Sequence, residues 1–388
     1  MGPLTGVRVI ELPGIGPCPM CGMLLAELGA SVLRLERPGP RGGIGLPVRS
    51  ALVNRSRPSL GIDLKRDRGV SLVLRLCERA DALIEGMRPG VTERLGIGPD
   101  TCQGRNPRLV YGRITGWGQT GPLAKAAGHD LNYIALTGAL HAIGRHGHAP
   151  TPPLNLVGDY GGGALYLALG VLAALLEARG SGQGQVVDAA MVDGAASLMT
   201  AAYALFDAGL SRDQRGINIL DSGAHFYDVY ETSDGKYVAM APIEPQFYAE
   251  LLRRLDLTAD ALPHAREPRE WPALKARLGA LIKTRTRDKW MELLEGSDAC
   301  AAPVLSMEEA PHHRHNQARE TFVRRDGRWQ PNAAPRFSRT PSAIRSSPGD
   351  TDGSPRKTLE DWGLKAVEID ELLSNGVVLD PVSDDTRP

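Results

Sequence analysis

The chain has 388 residues, more than one hydrophobic core usually supports, so two domains or one elaborated α/β domain are expected. Lys plus Arg and Asp plus Glu both total 45, giving no formal net charge, and aromatic residues make up only 5%. That balance argues against nucleic acid or a membrane surface as the main partner, and the scarcity of rings argues against a base-stacking platform.

In chain order, "VRVIEL" (7–12) reads as a strand, "CGMLLAELGA" (21–30) as a helix and "SVLRLE" (31–36) as the next strand. "GVSLVLRLCERA" (69–80) is a helix with apolar residues at Val70, Leu72, Val73, Leu74 and Leu76, and "DALIEG" (81–86) and "RLVYGRITG" (108–116) are further strands. Strand–helix–strand spacing of this kind predicts a parallel sheet with helices on its faces. "GALYLALGVLAALLEA" is a nearly all-apolar helix for the core or an interface, too short and too soon charged to span a bilayer. "GQVVDAAMVDGAASLMTAAYALF" reads as a strand followed by a helix.

The texture changes near residue 210. "YDVYETSDGKYVAMAPI" is a hairpin turned by Ser-Asp-Gly, "EPQFYAELLRRLDL" is a helical stretch, and "PALKARLGALIKTRTRDKWMELLEG" gives two amphipathic helices. Residues 220–320 therefore read as a small α+β domain. The large α/β domain covers 1–215 and is completed by 325–388, with a Pro-, Ser- and Arg-rich stretch (330–357) crossing back and a short helix in "VEIDELLSNGV". No basic leader precedes the first strand, so a cytoplasmic location is expected. Cys18 and Cys21 form a lone C-x-x-C among five cysteines; without a second pair they read as small packing residues in a reducing compartment.

Two polar residues stand out. In "AAGHDLNYIALTG", His129 follows a glycine and opens an apolar run, so it is either a cap or an imidazole free to point into a cleft. In "LNLVGDYGGGALYLALG", Asp159 taken alone is a helix N-cap. The run Gly161–Gly163 behind it is costly at a helix start. It predicts close backbone approach and exposed N–H groups at a positive helix end, suited to a carboxylate, a phosphate or a developing oxyanion. A dinucleotide fingerprint after the first strand fails, because "GIGPCP" places Pro19 where the third glycine belongs.

Basic residues cluster early: Arg34, Arg37, Arg41, Arg55, Arg57, Lys65, Arg66, Arg88 and Arg94. Most read as surface cations, but Arg37, Lys65, Arg88 and Arg94 follow strand ends or open helices, where a ligand with several phosphates would bind. The histidines of "RHGHAP" and "PHHRHNQ" read as solvated loops, since neither has a carboxylate or cysteine at ligand spacing.

The motifs "LTGVRVIELPGIGP", "DLKRDRG", "EGMRPGVTERLGIGP", "RITGWGQTGP", "AGHDLNYIALTGALHAIG", "PPLNLVGDYGGG", "GQVVDAAMVDG" and "APIEPQFY", in this order, resemble the α-methylacyl-CoA racemases of the family III CoA-transferase superfamily. The resemblance implies an interlocked homodimer, each protomer with a large Rossmann-like parallel-sheet domain and a smaller α+β domain. It implies that an acyl-CoA thioester is the substrate, with CoA bound by Arg37, by Ile62, Asp63, Leu64 and Lys65, by Gly86, Met87 and Arg88, by Arg94, and by Gly128, Asp130, Leu131, Asn132 and Tyr133. Met87 departs from the family, where tyrosine is more frequent.

The same resemblance makes His129 and Asp159 the two bases and Glu244 the carboxylate that partners the histidine. Racemisation next to a thioester removes a proton from one face and delivers one to the other, so two bases are the minimum. Histidine suits the task through its unperturbed pKa, and Asp159 should be held protonatable by burial. The enolate oxygen is expected to rest on backbone N–H groups of Asp159 and the following glycines. No metal or redox cofactor is called for. A CoA-transferase with Asp159 as nucleophile remains the alternative, with a non-catalytic acyl-CoA binder behind it.

Overall fold

Val9 and Ile10 set the pattern of the larger unit: they are neighbours in one strand, both fully buried, and they enter two different cores. A strand turns successive side chains to opposite faces, and a parallel sheet covered on both faces buries both. The computed structural model describes residues 2–38, 51–264, 267–348 and 354–379, so Arg41 lies outside the described residues. Strands β1 (Arg8–Glu11), β2 (Ser31–Glu36), β3 (Ser59–Ile62), β4 (Ala82–Glu85), β5 (Val110–Thr115) and β6 (Val186–Ala190) run parallel in the order 3-2-1-4-5-6, with Val378–Leu379 pairing antiparallel to β3 at the edge. β3, whose "SLGI" carries no alternation, and the two-residue edge strand had no periodic signal in the sequence. The chain order of the strands reverses between β1 and β4, and ligands of open α/β sheets bind beyond the carboxyl ends of the strands at such a point.

Helix α1 (Pro17–Glu27) starts at Pro17, four residues earlier than predicted, because prolines at 17 and 19 suit a first turn whose N–H groups would be unpaired anyway. It packs on one face of the sheet, while α2 (Asp67–Cys77) packs with Leu72, Val73 and Leu76 on the other. Cys18 and Cys21 are fully buried in α1, where burial raises both thiols well above their ordinary range, in keeping with packing.

The apolar helix differs from expectation. Leu156–Ala164 is a nine-residue π-helical stretch that continues directly into the α-helix Leu165–Ser181, so Asp159 lies inside a helix and not in front of one. The combined helix is long and apolar enough to cross a membrane by length and composition, contrary to the sequence estimate of its length. It lies along the sheet: Leu167, Val171 and Ala174 are buried, and a Cβ at Gly112 of β5 would stand 2.9 Å from Leu167 and Val171. The strand-and-helix reading after it holds for β6 and for Met191–Leu198, and a second helix, Thr200–Asp207, follows after Met199.

The described residues form two compact units: Met1–Ile134 with Asn155–Leu198 and Gln317–Pro388, and Ala135–Leu154 with Met199–Asn316. Residues 135–154, counted above with the large domain, belong to the second unit. There Tyr203 Oη donates to Thr137 O, Arg215 donates to the carbonyls of His141 and His148, and Arg145 pairs with Asp228. The rest of that unit is a hairpin (Asp228–Glu231 and Tyr237–Met240) joined by a third antiparallel strand, Ala301–Val304, over helices Pro245–Leu255, Trp271–Ile282 and Arg287–Leu294. Its core is built on Trp271, Leu278, Trp290 and Tyr248.

Candidate active site

The carboxyl ends of the strands carry most of the sequence-predicted ligand residues. Arg37 follows β2, Asp63 to Lys65 follow β3, and Gly86 to Arg88 follow β4, with Arg94 ending the short helix Val91–Arg94. Arg37, Lys65, Arg88 and Arg94 are exposed cations, while Ile62 is buried in β3 and Leu64 and Met87 pack against the core. Asp63 Oδ1 accepts the N–H of Lys65, and Glu85 Oε2 accepts the N–H of Met87, so both loops are held from within.

Three of the early arginines are not surface cations. Arg57 donates to both oxygens of Glu11 and to Pro19 O, Arg34 bridges Glu11 and Glu36, and Arg55 reaches Glu27 and Gln330. All are at least nine-tenths buried and fully paired. Arg113 likewise joins Glu85 to Glu93.

His129 stands just before the helix Asp130–Ala135. Its carbonyl accepts from the N–H groups of Asn132 and Tyr133, and Asn132 Oδ1 reaches back to the N–H of His129 at 3.0 Å. That reciprocal arrangement caps the helix with backbone and Asn132 alone. The imidazole takes no part in it, is exposed, and makes no hydrogen bond among the described residues. Tyr133 braces the loop: its hydroxyl donates to Gly128 O, and its ring meets Trp117 edge-on at 4.9 Å. A Cβ at Gly116 would stand 2.0 Å from that ring and one at Gly128 2.8 Å, so both glycines are required by close approach.

Asp159 is partly buried on the π turn. Asn155 Nδ2 donates to its Oδ2 at 3.1 Å, and the same oxygen lies 3.2 Å from where a Cβ on Gly16 would stand. Gly16, at a φ of 64° before α1, is therefore the floor of the carboxyl site. Burial raises the affinity of this carboxyl for a proton; the Asn155 hydrogen bond opposes the rise, the charge of Asp130 adds to it, and His129 opposes it. His129 and Asp159 are thus within electrostatic reach of each other.

The oxyanion expectation for Asp159 is overturned. Its N–H is already taken, donating to Asp130 Oδ2 at 2.7 Å. The glycines beyond it serve packing: a Cβ at Gly162 would lie 2.5 Å from Ala195 N, one at Gly194 1.9 Å from Gly162 O, and one at Gly163 2.8 Å from Met191. The π turn and the helix Met191–Leu198 touch backbone to backbone. Sequence reading missed Asn155, Gly16 and Trp117 as parts of this site, because they come from three separate places in the chain: the start of the π turn, the start of α1 and the segment after β5. Trp117 Nε1 and Asp130 Oδ1 are buried with no hydrogen-bond partner among the described residues.

Glu244 belongs to the second unit. It is the residue before Pro245–Leu255, is exposed, and makes no side-chain capping bond to that helix. That unit also holds an apolar cavity of about 1020 Å³ near Tyr203, Phe206, Tyr227 and Met240. Among the described residues no cluster of three or more His, Cys, Asp or Glu is arranged to hold a metal ion, although His313 does meet a carboxylate, Glu295, at 3.2 Å.

A doubly wound sheet that carries exposed cations, an imidazole and a partly buried carboxyl among the segments after its strands is the arrangement of an α/β protein that binds an anionic ligand. The sequence profile of CoA-transferase family III matches residues 4–352, and the chain belongs to that family. It is similar to the alpha-methylacyl-CoA racemases of Mus musculus (44% identical) and Homo sapiens (41%), in each case over 97% of both chains. Among solved structures it resembles that of Rv3272 from M. tuberculosis, with a TM-score of 0.74 and 26% identity over 90% of this chain and 96% of the other. A CAIB/BAIF family protein from Brucella suis, 24% identical with a TM-score of 0.74 over 97% and 99%, shares the fold.

Proposed function

We propose that the protein is a racemase of 2-methylacyl-CoA thioesters, moving the α-proton between two bases through an enolate. One base takes the proton from Cα, the C–H electron pair passes to the thioester oxygen, and the other base returns a proton to the opposite face. His129 and Asp159 are the two carriers. The observation that carries this reading is the pairing of an unbonded imidazole with a nearby carboxyl whose affinity for protons is raised. A carboxyl that must hold a proton in one direction of turnover profits from that environment. A nucleophilic aspartate, as the transferase alternative requires, would be hindered by it.

Arg37, Lys65, Arg88 and Arg94 would hold the phosphates of CoA, whose several negative charges match four exposed cations on one sheet edge. Glu244, to which the sequence resemblance gives a carboxylate role, is tested by Glu244→Gln, which should lower the exchange rate. The chemistry as written draws on no metal or redox cofactor. A homodimer is supported by the outer face of Leu165–Ser181, where Leu165, Leu169 and Leu176 are 53%, 64% and 72% exposed, an apolar stripe suited to a second copy. Light scattering at low protein concentration should give twice the mass of one chain.

The reaction is tested by incubating (R)-2-methylacyl-CoA with the protein in D₂O and following the α position by NMR. Deuterium entering together with loss of optical purity supports the racemase. Acyl-CoA exchange with an added carboxylate, without α-deuteration, would replace it with the transferase.

A further inference from the structure

Resting on the racemase reading, we infer that Asp130 is a positioning residue: its buried carboxylate clamps the backbone of Asp159 and so fixes where the second proton carrier stands. The resemblance places Asp130 among the residues that bind CoA, but its side chain is turned inward. Only 5% of Asp130 is exposed, and Oδ2 accepts the N–H of Asp159 at 2.7 Å. A π turn leaves its first amides without a partner inside the helix, and a charged acceptor satisfies this one more strongly than a neutral group could.

The neighbouring glycine is shaped to the same contact. A Cβ on Gly158 would lie 2.7 Å from Oδ2 and 2.9 Å from Cγ of Asp130, so only glycine admits the carboxylate there. The other oxygen, Oδ1, is buried with no partner among the described residues. Glu11, also fully buried, meets two arginines, whereas among the described residues no cation pairs with Asp130. The charge of Asp130 raises the cost of a second negative charge at Asp159.

Several elements among the described residues bring groups to Asp159. Asp130 and Tyr133 come from the helix Asp130–Ala135, His129 from the residue before it, Asn155 from the turn's own start, and Gly16 from the start of α1. The helix Met191–Leu198 meets the turn with Met191, Gly194, Ala195 and Leu198, none of them titratable. Beside burial, Asp130 is the negative neighbour among the described residues that raises the proton affinity of Asp159, and Asn155 and His129 work the other way.

Asp130→Asn keeps an acceptor oxygen for the Asp159 amide and removes the charge; Asp130→Ala removes both. The expected result for Asp130→Asn is a shift of the acid limb of kcat/KM to lower pH, because Asp159 then ionises more readily, with a matching fall in the midpoint at which ¹³C-labelled Asp159 titrates. Asp130→Ala should in addition lose about tenfold to a hundredfold in kcat/KM, the usual worth of a hydrogen bond to a charged group. Loss of activity with both the limb and the titration midpoint unmoved would reduce Asp130 to a structural role and overturn the inference. The ¹³C titration reads Asp159 without any turnover, so it stands even if the wild-type protein fails to exchange an α-proton. If neither variant folds, amide exchange of the wild type decides: the Asp159 N–H should be strongly protected, and rapid exchange would contradict the clamp.

Discussion

Two groups of buried or partly buried carboxylates sit in the same unit and are treated in opposite ways. Glu11 receives Arg34 and Arg57, with Pro19 O and Glu36 completing the network, and every charge in it has a counter-charge within hydrogen-bond distance. Gly22 makes room for it, since a Cβ there would strike Glu11 Oε2. Asp130 has the N–H of Asp159 and Asp159 has the Asn155 side chain, and among the described residues no cation is bonded to either carboxylate. Neutralised buried charge is architecture, whereas charge left uncompensated keeps a proton affinity that chemistry can use.

The comparison breaks most sharply at Asp159. Replacing it with Asn should cut racemisation about 10²–10⁴-fold, the usual contribution of a general acid–base group, while unfolding in urea shows stability unchanged or higher. Higher stability follows from the sign of the shift: a folded-state affinity raised above that of the unfolded chain makes ionised Asp159 destabilising at neutral pH. Arg57→Ala should do the reverse, costing about 3–5 kcal/mol by leaving part of a buried charge unpaired, with kcat of the folded fraction little changed. An Arg57→Ala protein as stable as the wild type would remove the distinction between the two groups.

A buried group in the second unit sharpens the same contrast. His225 is fully buried beside Tyr248 at 3.0 Å, and burial lowers it from 6.5 to about 4. As pH falls below about 6.5 the unfolded chain gains a proton there and the folded chain does not, so stability should drop by on the order of 3 kcal/mol between that pH and about 4. His225→Phe should flatten that part of the stability curve. The smallest effects belong to the exposed cations: Lys65→Ala or Arg94→Ala should weaken acyl-CoA binding by about 1 kcal/mol each, seen as a several-fold rise in KM that fades at high salt.

Most of the larger unit's sheet was legible because its strands are short apolar runs between helices of clear period, as in "SVLRLE", whose predicted and observed bounds coincide. β3 escaped because Ser59 and Gly61 dilute its apolar character, and its outer partner, Val378–Leu379, is hundreds of residues away. His129 and Asp159 could be singled out from glycines and apolar runs, yet the meaning of those glycines could not. Gly162 and Gly194 exist for a backbone crossing between elements 32 residues apart, and Gly158 exists for Asp130, contacts that no local pattern encodes. The buried arginines were misjudged for the same reason. Arg34 and Arg57 look like any surface cation until the carboxylate of Glu11 is seen between them.

Two carriers acting from opposite faces of one carbon make a demand that a single base cannot meet, and solvent exchange in the single variants reads it directly. His129→Ala and Asp159→Asn should each still exchange the α-proton of one enantiomer in D₂O without racemising it, and the enantiomer should differ between the two. Exchange of the same enantiomer by both variants, or full racemisation by either, would contradict the account.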